Sequence, residues 1–364
     1  MAALWLARKG FDVRFLAWGN ESPSEHWLSQ YPGLAYRRVP KRGLISGLAF
    51  LSAVLLEARR FRPDFIYVQG AQNAPFGLWI RLASRTARIV YHTQDYLGPG
   101  QHLFYEACER RFARDADEVI SNERNRARFM ASSYRLRKVP HVLPTALPSW
   151  WPVPARDPHR RAELASRAGL AAMGARARLV AAGGPYAVDR MSPQLVEAFS
   201  MLPENYGLVF TSMDASHAGR RQLQTRLESS RIGERIVLLD AVDYPELLAS
   251  YAACDIGILL YPDSGIGHYY QAPGRLTEYL RCGLPVVASN FPGLELLVCQ
   301  HGIGRTADPY EPRSIASAIH SLGEVSEDER MAVCSRLMTL ASTDLAYDNR
   351  AEFVFGKVFV ESQA

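Results

Sequence analysis

Three observations predict an α/β fold made of two doubly wound, parallel-sheet domains. Strand-like and helix-like segments alternate along nearly the whole chain, a proline-rich stretch breaks the alternation near the middle, and the alternation then restarts. At 364 residues the chain has room for two domains of ordinary size. Its 48% apolar and 22% charged residues are those of a packed protein rather than a disordered one.

The elements follow in order. "MAALWLARKG" has helical spacing and ends on Gly10, "DVRFLAW" alternates as a strand does, "ISGLAFLSAVLLEARRF" reads as a helix and "DFIYVQG" as a strand. A helix near 78–84, strand "RIVYHT", helix "LFYEACERRFAR", strand "EVISN", a helix from about Arg124 and the segment "VPHVLPT" complete a first domain expected over 1–147. "LPSWWPVPARDPHRR" is read as a linker, 148–161. The second domain, 162–342, runs from "ARLVAAGG" through helix "SPQLVEAFSML", strand "YGLVFTS", helix "RRQLQTRLESS", strand "RIVLLDA" and helix "YPELLASYAAC" to strand "IGILLYP". Helix "GRLTEYLRC", strand "PVVASN" and two further helices follow, and a tail of about 343–364 is expected to pack back on the first domain. Two Rossmann-like domains facing a cleft are the simplest architecture. A doubly wound sheet ordinarily opens on a strand and a glycine-rich turn. Here the first segment is helical, so the first strand is expected to be missing.

The five cysteines are scattered, without a CxxC pair, which suits a reducing compartment and argues against a disulfide scaffold or structural zinc. The opening ten residues have the reverse of a signal peptide's charge order, and the longest uncharged apolar segment, 43–56, is short of the ~20 residues of a spanning helix. A cytoplasmic location is expected, with contact at the inner face of the cell membrane as an open extension. Net charge is +5, but residues 1–178 carry 28 Lys+Arg against 14 Asp+Glu, whereas 179–364 carry 14 against 23. An anionic membrane or a phosphorylated acceptor would account for the basic half, and so would a solvated arginine-rich surface. No nucleic-acid partner is expected.

The chemistry concentrates in "QAPGRLTEYLRCGLPVVASN", Gln271 to Asn290. A helix beginning near Gly274 follows a loop beyond a strand's carboxyl end, where ligands of parallel sheets bind. Its first amides, around Gly274 to Leu276, are expected to lack internal partners and to favour phosphate. Arg275 and Glu278, three apart, share a helix face. Arg275 can fork onto phosphate oxygens, and Glu278 can accept both hydroxyls of a ribose. In "AAGGPYAVDRMSPQ", Gly183 and Gly184 permit close approach to the backbone, Arg190 precedes a helix start, and Ser192 is the expected N-cap.

"YYQAPGRLTEYLRCGLPVVAS" resembles the donor-site segment of retaining family-four GT-B glycosyltransferases, P-N-K-L-x-E-Y-x-x-x-G-x-P-V-[IV]-[AS]-[ST]. "AAGGPYAVDR" resembles that family's strand–GG turn and basic residue, and "YHTQDY" and "ERRFARDADEVISNERNRARF" resemble its first-domain H-x-x-D and AD-x-V-I segments. The resemblance implies a GT-B fold. It implies a retaining, metal-independent transferase that moves a sugar from a UDP- or GDP-linked donor, with no other cofactor, to a cell-envelope glycan, polysaccharide or lipid-linked acceptor. It also implies roles. Glu278 holds the ribose, Arg275 falls at the motif's lysine, Arg190 neutralises the leaving diphosphate and His92 contacts the donor sugar. Gly183, Gly184, Tyr270, Gln271, Gly274 and Leu276 complete the donor-binding set. Two departures stand out: Tyr270 replaces the glutamate eight residues before Glu278, and Gly274 replaces asparagine. A degenerate, non-catalytic transferase-like subunit and a nucleotide-sugar 2-epimerase are the alternatives.

Three further signals have two readings each. Asp115–Ala116–Asp117 is a D-x-D, as metal-dependent transferases use, or a helix–strand junction, which is preferred. Lys41–Arg62 is a first-domain helix with basic ends, again preferred, or a membrane-surface segment. His92 and Asp95 are donor contacts or a polar strand end.

Overall fold

The computed structural model describes every residue except 20–27, 42–45, 85, 95, 97–99, 101, 214–217, 228–230 and 361–364. The chain divides into two compact units, Met1–Pro144 with Asp348–Ala364, and Thr145–Tyr347.

Unit 1 opens with helix α1 (Ala2–Arg8), strand β1 (Val13–Trp18) and strand β2 (Leu34–Val39). β2 is absent from the sequence expectation because Arg37 and Arg38 break its apolar pattern; it is an edge strand, where charge is tolerated. Helix α2 (Ser46–Phe61), strand β3 (Phe65–Gln69), helix α3 (Ala74–Ala83), strand β4 (Arg88–Thr93) and helix α4 (Leu103–Asp115) follow. Strand β5 (Glu118–Ser121), helix α5 (Arg124–Tyr134) and the short strand β6 (His141–Val142) complete the run. All pairings are parallel, but the strands fall into two sheets, β1–β2 and β3–β4–β5–β6. The helix Tyr347–Phe355 returns the chain to unit 1, where Phe355 meets Trp5 with ring centres 5.2 Å apart. α2 buries Phe50 and Ala53 and exposes Leu48 and Leu56, so one face packs as expected and the other does not.

Unit 2 begins at Thr145, ahead of the segment read as a linker, which therefore belongs to it. Residues 148–161 are fastened to their own unit. Arg281 donates to the carbonyls of Pro148 and Trp151, each at 2.8 Å, and Arg156 and Arg161 reach the buried Asp255. Helix α6 (Pro158–Arg167) grows out of this segment on an Asp157 N-cap, since a proline in the first turn gives up no helical N–H bond. Strand β7 (Arg178–Ala182), helix α7 (Ser192–Phe199), strand β8 (Tyr206–Phe210), helix α8 (Ala218–Leu227), strand β9 (Ile236–Leu238), helix α9 (Tyr244–Ala252) and strand β10 (Ile256–Leu259) come next. They are followed by helix α10 (Ile266–Tyr269), helix α11 (Gly274–Arg281), strand β11 (Val286–Ser289), helix α12 (Pro292–His301), strand β12 (Gly304–Ala307), helix α13 (Pro312–Gly323) and helix α14 (Glu327–Ser342). The sheet order is β12–β11–β10–β7–β8–β9, parallel throughout. Successive β7 residues feed opposite faces: Leu179 and Ala181 enter one apolar core, Val180 and Ala182 the other. The chain winds outward from β7 to β9, then returns to the other side of β7 at β10. That reversal opens a crevice at the carboxyl ends of β7 and β10, the general ligand position of such sheets.

Candidate active site

The two turns singled out in the sequence both leave this crevice, one after β7 and one after β10. Gly183 and Gly184 follow β7 directly, and Gly184 has φ +93°, a conformation that glycine adopts without strain. The close approach they permit is made by Arg275. A Cβ on Gly183 would stand 2.5 Å from Arg275 Cδ and 2.5 Å from Tyr251 Oη, and one on Gly184 3.4 Å from Arg275 Nη2. The two turn amides are engaged: Gly183 N–H donates to Tyr279 Oη at 2.8 Å and Gly184 N–H to Thr211 Oγ1 at 2.9 Å. Tyr279 in turn donates to the Ala181 carbonyl at 3.1 Å, so one hydroxyl ties α11 to the end of β7.

Arg190 comes from a short 3-10 turn, Val188–Arg190, and its guanidinium lies 5.2 Å from the centre of the Tyr261 ring. Arg190, Arg275, Gly183 and Gly184 together line a cavity of about 10 Å³, room for one water-sized group. Burial weighs against the charge of Arg275. The hydroxyls of Tyr279, Tyr261 and Tyr251 and the carboxylate of Glu278 outweigh it, and its pKa lies above the ordinary value. Glu278 accepts from Tyr244 Oη at 2.9 Å. Burial lifts its pKa, against the opposing pulls of that hydrogen bond and of Arg275.

Other expected site residues fall differently. Ser192 begins α7 but is not its N-cap. Met191, in the left-handed region at φ 51°, takes that place, and the Ser192 hydroxyl accepts the Ala187 N–H at 3.1 Å. The Leu276 side chain is buried in the apolar core, and its N–H donates to the Pro273 carbonyl at 3.1 Å, so neither is free for a ligand. Gly274 starts α11 beside Thr145, whose Cγ2 would be 2.9 Å from a Cβ there. Tyr270 and Gln271 pass over the start of α12, their backbone 2.6 and 2.7 Å from where a Cβ of Gly293 would be.

A basic pair beside a glycine turn at a sheet's switch point has the charge that suits an anion. Residues 1–150 match the glycosyl transferase 4-like domain, and residues 191–334 match the glycosyl transferases group 1 domain. The chain belongs to the glycosyltransferases. Among curated proteins none matches it by sequence. Solved structures match over nearly its full length and give this glycosyltransferase the GT-B fold. HepE from Anabaena, solved with UDP-glucose, is 18% identical with a TM-score of 0.75, over 98% of this chain and 95% of its own. Sucrose-phosphate synthase from Thermosynechococcus elongatus is 17% identical with a TM-score of 0.74, over 98% and 92%. WaaG, a glycosyltransferase involved in lipopolysaccharide biosynthesis, is 16% identical with a TM-score of 0.66, over 99% and 94%.

In unit 1 of the glycosyltransferase, His92 sits near the carboxyl end of β4, buried. Its Nδ1 faces Tyr67 Oη across a short hydrogen bond, while Nε2 has no partner among the described residues. Burial pulls its pKa from 6.5 down to about 3, so the ring is neutral at physiological pH. Asp95 lies outside the described residues. The D-x-D residues serve a helix–strand junction: Asp117 accepts the Ile89 N–H at 2.8 Å and pairs with Arg81 at 2.9 Å, and Asp115 pairs with Arg111 at 2.9 Å.

Sequence reasoning missed the tyrosines. Tyr244 bonds Glu278, Tyr279 bonds the glycine turn, and the hydroxyls of Tyr251 and Tyr279 act electrostatically on Arg275. Of these only Tyr279 lies in the motif region, immediately after Glu278. Tyr251 and Tyr279 stack edge-on at 4.8 Å, on helices separated by β10.

Proposed function

We propose that the protein transfers a sugar, with retention of configuration and without a metal, from a UDP-linked donor to a cell-envelope glycan or polysaccharide acceptor. One observation carries this reading: Arg190 and Arg275 converge on the Gly183–Gly184 turn at the switch point of the unit 2 sheet. Two preorganised guanidinium groups in a partly buried crevice stabilise a diphosphate as it departs, the task otherwise given to a metal ion. The sugar C1–O bond breaks with its electron pair passing to the diphosphate oxygen. The acceptor oxygen bonds C1, and its proton goes to that same diphosphate oxygen, which yields retention without a covalent carboxylate. Glu278, held by Tyr244, accepts the ribose hydroxyls. The neutral ring of His92 suits a hydrogen bond to an uncharged sugar hydroxyl.

UDP is favoured over GDP because HepE has been solved with UDP-glucose and with UDP. The glycan acceptor is favoured by the likeness to WaaG. Among the described residues no helix is long and apolar enough to cross a membrane. The exposed Leu48 and Leu56 and the basic balance of residues 1–178 support contact with an anionic membrane on the cytoplasmic side.

Thermal unfolding with UDP, GDP and ADP, on the native protein and on Glu278→Ala, tests the donor site. A nucleotide at 100 times its Kd stabilises by ~2.7 kcal/mol, which is several degrees. A rise with UDP that Glu278→Ala abolishes supports the reading. No rise with any of the three overturns it. Release of free UDP only when acceptor is supplied separates a transferase from a non-catalytic subunit.

A further inference from the structure

The two arginines proposed to meet the diphosphate are held unequally. Arg275 rises from the first turn of α11, inside a buried frame. Arg190 comes from a three-residue 3-10 turn, Val188–Arg190, whose Val188 is 73% exposed. Among the described residues no hydrogen bond or ion pair reaches the Arg190 guanidinium, and its contact is the Tyr261 ring, at 5.2 Å from the ring centre. That distance lies within the ~6 Å over which an aromatic face attracts a cation. An arginine left to itself keeps much rotamer freedom, which a ligand would have to remove on binding.

Tyr261 is the fixed member of this pair. It stands two residues past the end of β10, is 1% exposed, and joins the apolar core that holds Leu276, Tyr279 and Leu294. The β10–β11 ladder ends with Leu259 opposite Ala288, and beyond it the Ser289 hydroxyl takes the ladder's place. That hydroxyl accepts the Tyr261 N–H at 2.8 Å and donates to the Tyr261 carbonyl at 3.1 Å. Both backbone groups of Tyr261 are thus satisfied by one buried side chain at the end of β11. The His268 ring of α10 covers the Tyr261 ring as well, at 5.9 Å and an interplanar angle of 26°.

The same side chain also reaches the second arginine. The Tyr261 hydroxyl acts electrostatically on Arg275, as those of Tyr279 and Tyr251 do. Packing alone would be served at 261 by any large apolar residue. Only an aromatic ring adds a negative face for a guanidinium, and only tyrosine adds a hydroxyl beside the other.

We propose that Tyr261 is a positioning residue for the diphosphate site: its ring holds the Arg190 guanidinium beside the Gly183–Gly184 turn before the ligand arrives, and the Ser289 bonds refer that position to the sheet. This rests on the donor-site reading above and adds to it the group that preorganises Arg190. The guanidinium stays against the ring when the diphosphate binds, so a more negative ring face means tighter binding.

The test grades the ring while leaving its size nearly constant. Tyr261→Phe is compared with proteins in which that phenylalanine carries two or three ring fluorines, which weaken the negative face. Affinity for UDP is measured by titration calorimetry in each, with Arg190 present and in the Arg190→Ala background. UDP affinity is expected to fall stepwise along the series, about three- to tenfold in all, and to stay level along it in Arg190→Ala. Equal affinity along the series with Arg190 present would overturn the proposal. So would a rise, which would mean that the ring holds Arg190 back from the ligand. An equal fall in both backgrounds would assign the effect to packing and overturn it too. A second readout needs no nucleotide. The Arg190 Nε–H signal in NMR is expected to be displaced by the ring in native protein and in Tyr261→Phe, and to lose that displacement in Tyr261→Leu. A signal unchanged in Tyr261→Leu would overturn the proposal whatever the calorimetry gives. Absence of UDP binding by native protein would overturn the donor-site reading instead, and the Arg190 signal then decides alone whether the ring holds the guanidinium.

Discussion

At the amino end of β10 the carboxylate of Asp255 is ringed by Arg156, Arg161 and Arg330 at 2.6, 2.9 and 3.3 Å, and it accepts the Leu179 N–H at 2.8 Å. At the carboxyl end of the same sheet Arg190 and Arg275 line one small cavity, and no salt bridge to either occurs among the described residues. Both groups are arginines on a buried frame, but their partners differ. Asp255 is 2% exposed in its side chain and gathers three elements, the segment before α6, α6 itself and α14, onto the start of β7. Arg190 faces a tyrosine ring, and Arg275 stands among tyrosine hydroxyls with the Glu278 carboxylate acting on it without forming a salt bridge. Arginine whose charge is matched builds the fold, whereas arginine without a salt-bridge partner is available for the anion proposed above.

The largest expected effect breaks the matched cluster. Asp255→Ala leaves three arginines and the Leu179 N–H without their acceptor, and removing one partner of such a buried group costs about 3–5 kcal/mol. Thermal unfolding should show Tm lower by roughly 10 °C. The arginines hold the Asp255 pKa below 3.8 against the opposing pull of burial. The carboxylate's contribution is therefore complete above about pH 3.8 and disappears as pH falls through the lowered folded value. Accordingly, the Tm gap between native protein and variant should stay constant from pH 7 to 5 and close only below 3.8. A gap under 2 °C at pH 7 would mean the arginines re-pair and the cluster is not a fastening.

The pair without salt bridges should respond in the opposite manner. Arg275→Ala removes the cation proposed to stabilise transition-state charge, and such losses lower kcat by about 100- to 1,000-fold. Its Tm should stay within about 2 °C of native, because no ion pair is broken. UDP should no longer raise the variant's Tm. A fall in Tm as large as that of Asp255→Ala would place Arg275 among the structural arginines and erase the distinction.

This contrast was only partly legible in the sequence. The glycine pair, Arg190, Arg275 and Glu278 are local signals, each marked by a turn or a helix start, and the α/β alternation announced the crevice that brings them together. Asp255 carried no such mark. Its arginine partners lie 99, 94 and 75 residues away, and no spacing rule reaches that far. Tyr244 is 34 residues from Glu278 and was equally silent. The linker reading failed to anticipate α6 because prolines suggested a break, whereas Pro158 stands in the first turn of a helix, where it is welcome. β2 was missed because an edge strand can carry Arg37 and Arg38, which blur its alternation.

A smaller effect sharpens the comparison at Glu278. Burial raises the pKa of this carboxylate, so the charged form costs stability above the raised folded value, and the cost vanishes below the unfolded 4.5. Glu278→Gln should therefore raise Tm at pH 7 and lose that advantage as pH approaches 4.5. It should weaken UDP binding by about tenfold, one charge-assisted bond in a partly exposed site. Stability gained while binding falls would mark Glu278 as a residue kept for its ligand. A loss of both would instead assign it to the fold through Tyr244.

The smallest effect concerns His92 in unit 1. A free histidine changes charge near pH 6.5, and one used as an acid or base would leave a limb in the rate profile between pH 5 and 8. Burial draws His92 down to about 3, so it should remain neutral across that range. Its imidazole signals should show no titration by NMR above pH 5, and kcat should show no limb assignable to it. Stability should behave differently. The unfolded chain takes up a proton below 6.5 that the folded ring refuses, so this group lowers stability progressively from about pH 6.5 down to 3 and has no effect above. Replacing His92 with Gln removes that pH dependence while keeping an amide for the Tyr67 hydroxyl. A native histidine that titrates near 6.5 would show that water reaches the ring. His92 would then lose the neutral hydrogen-bonding role proposed for it and regain that of a proton carrier.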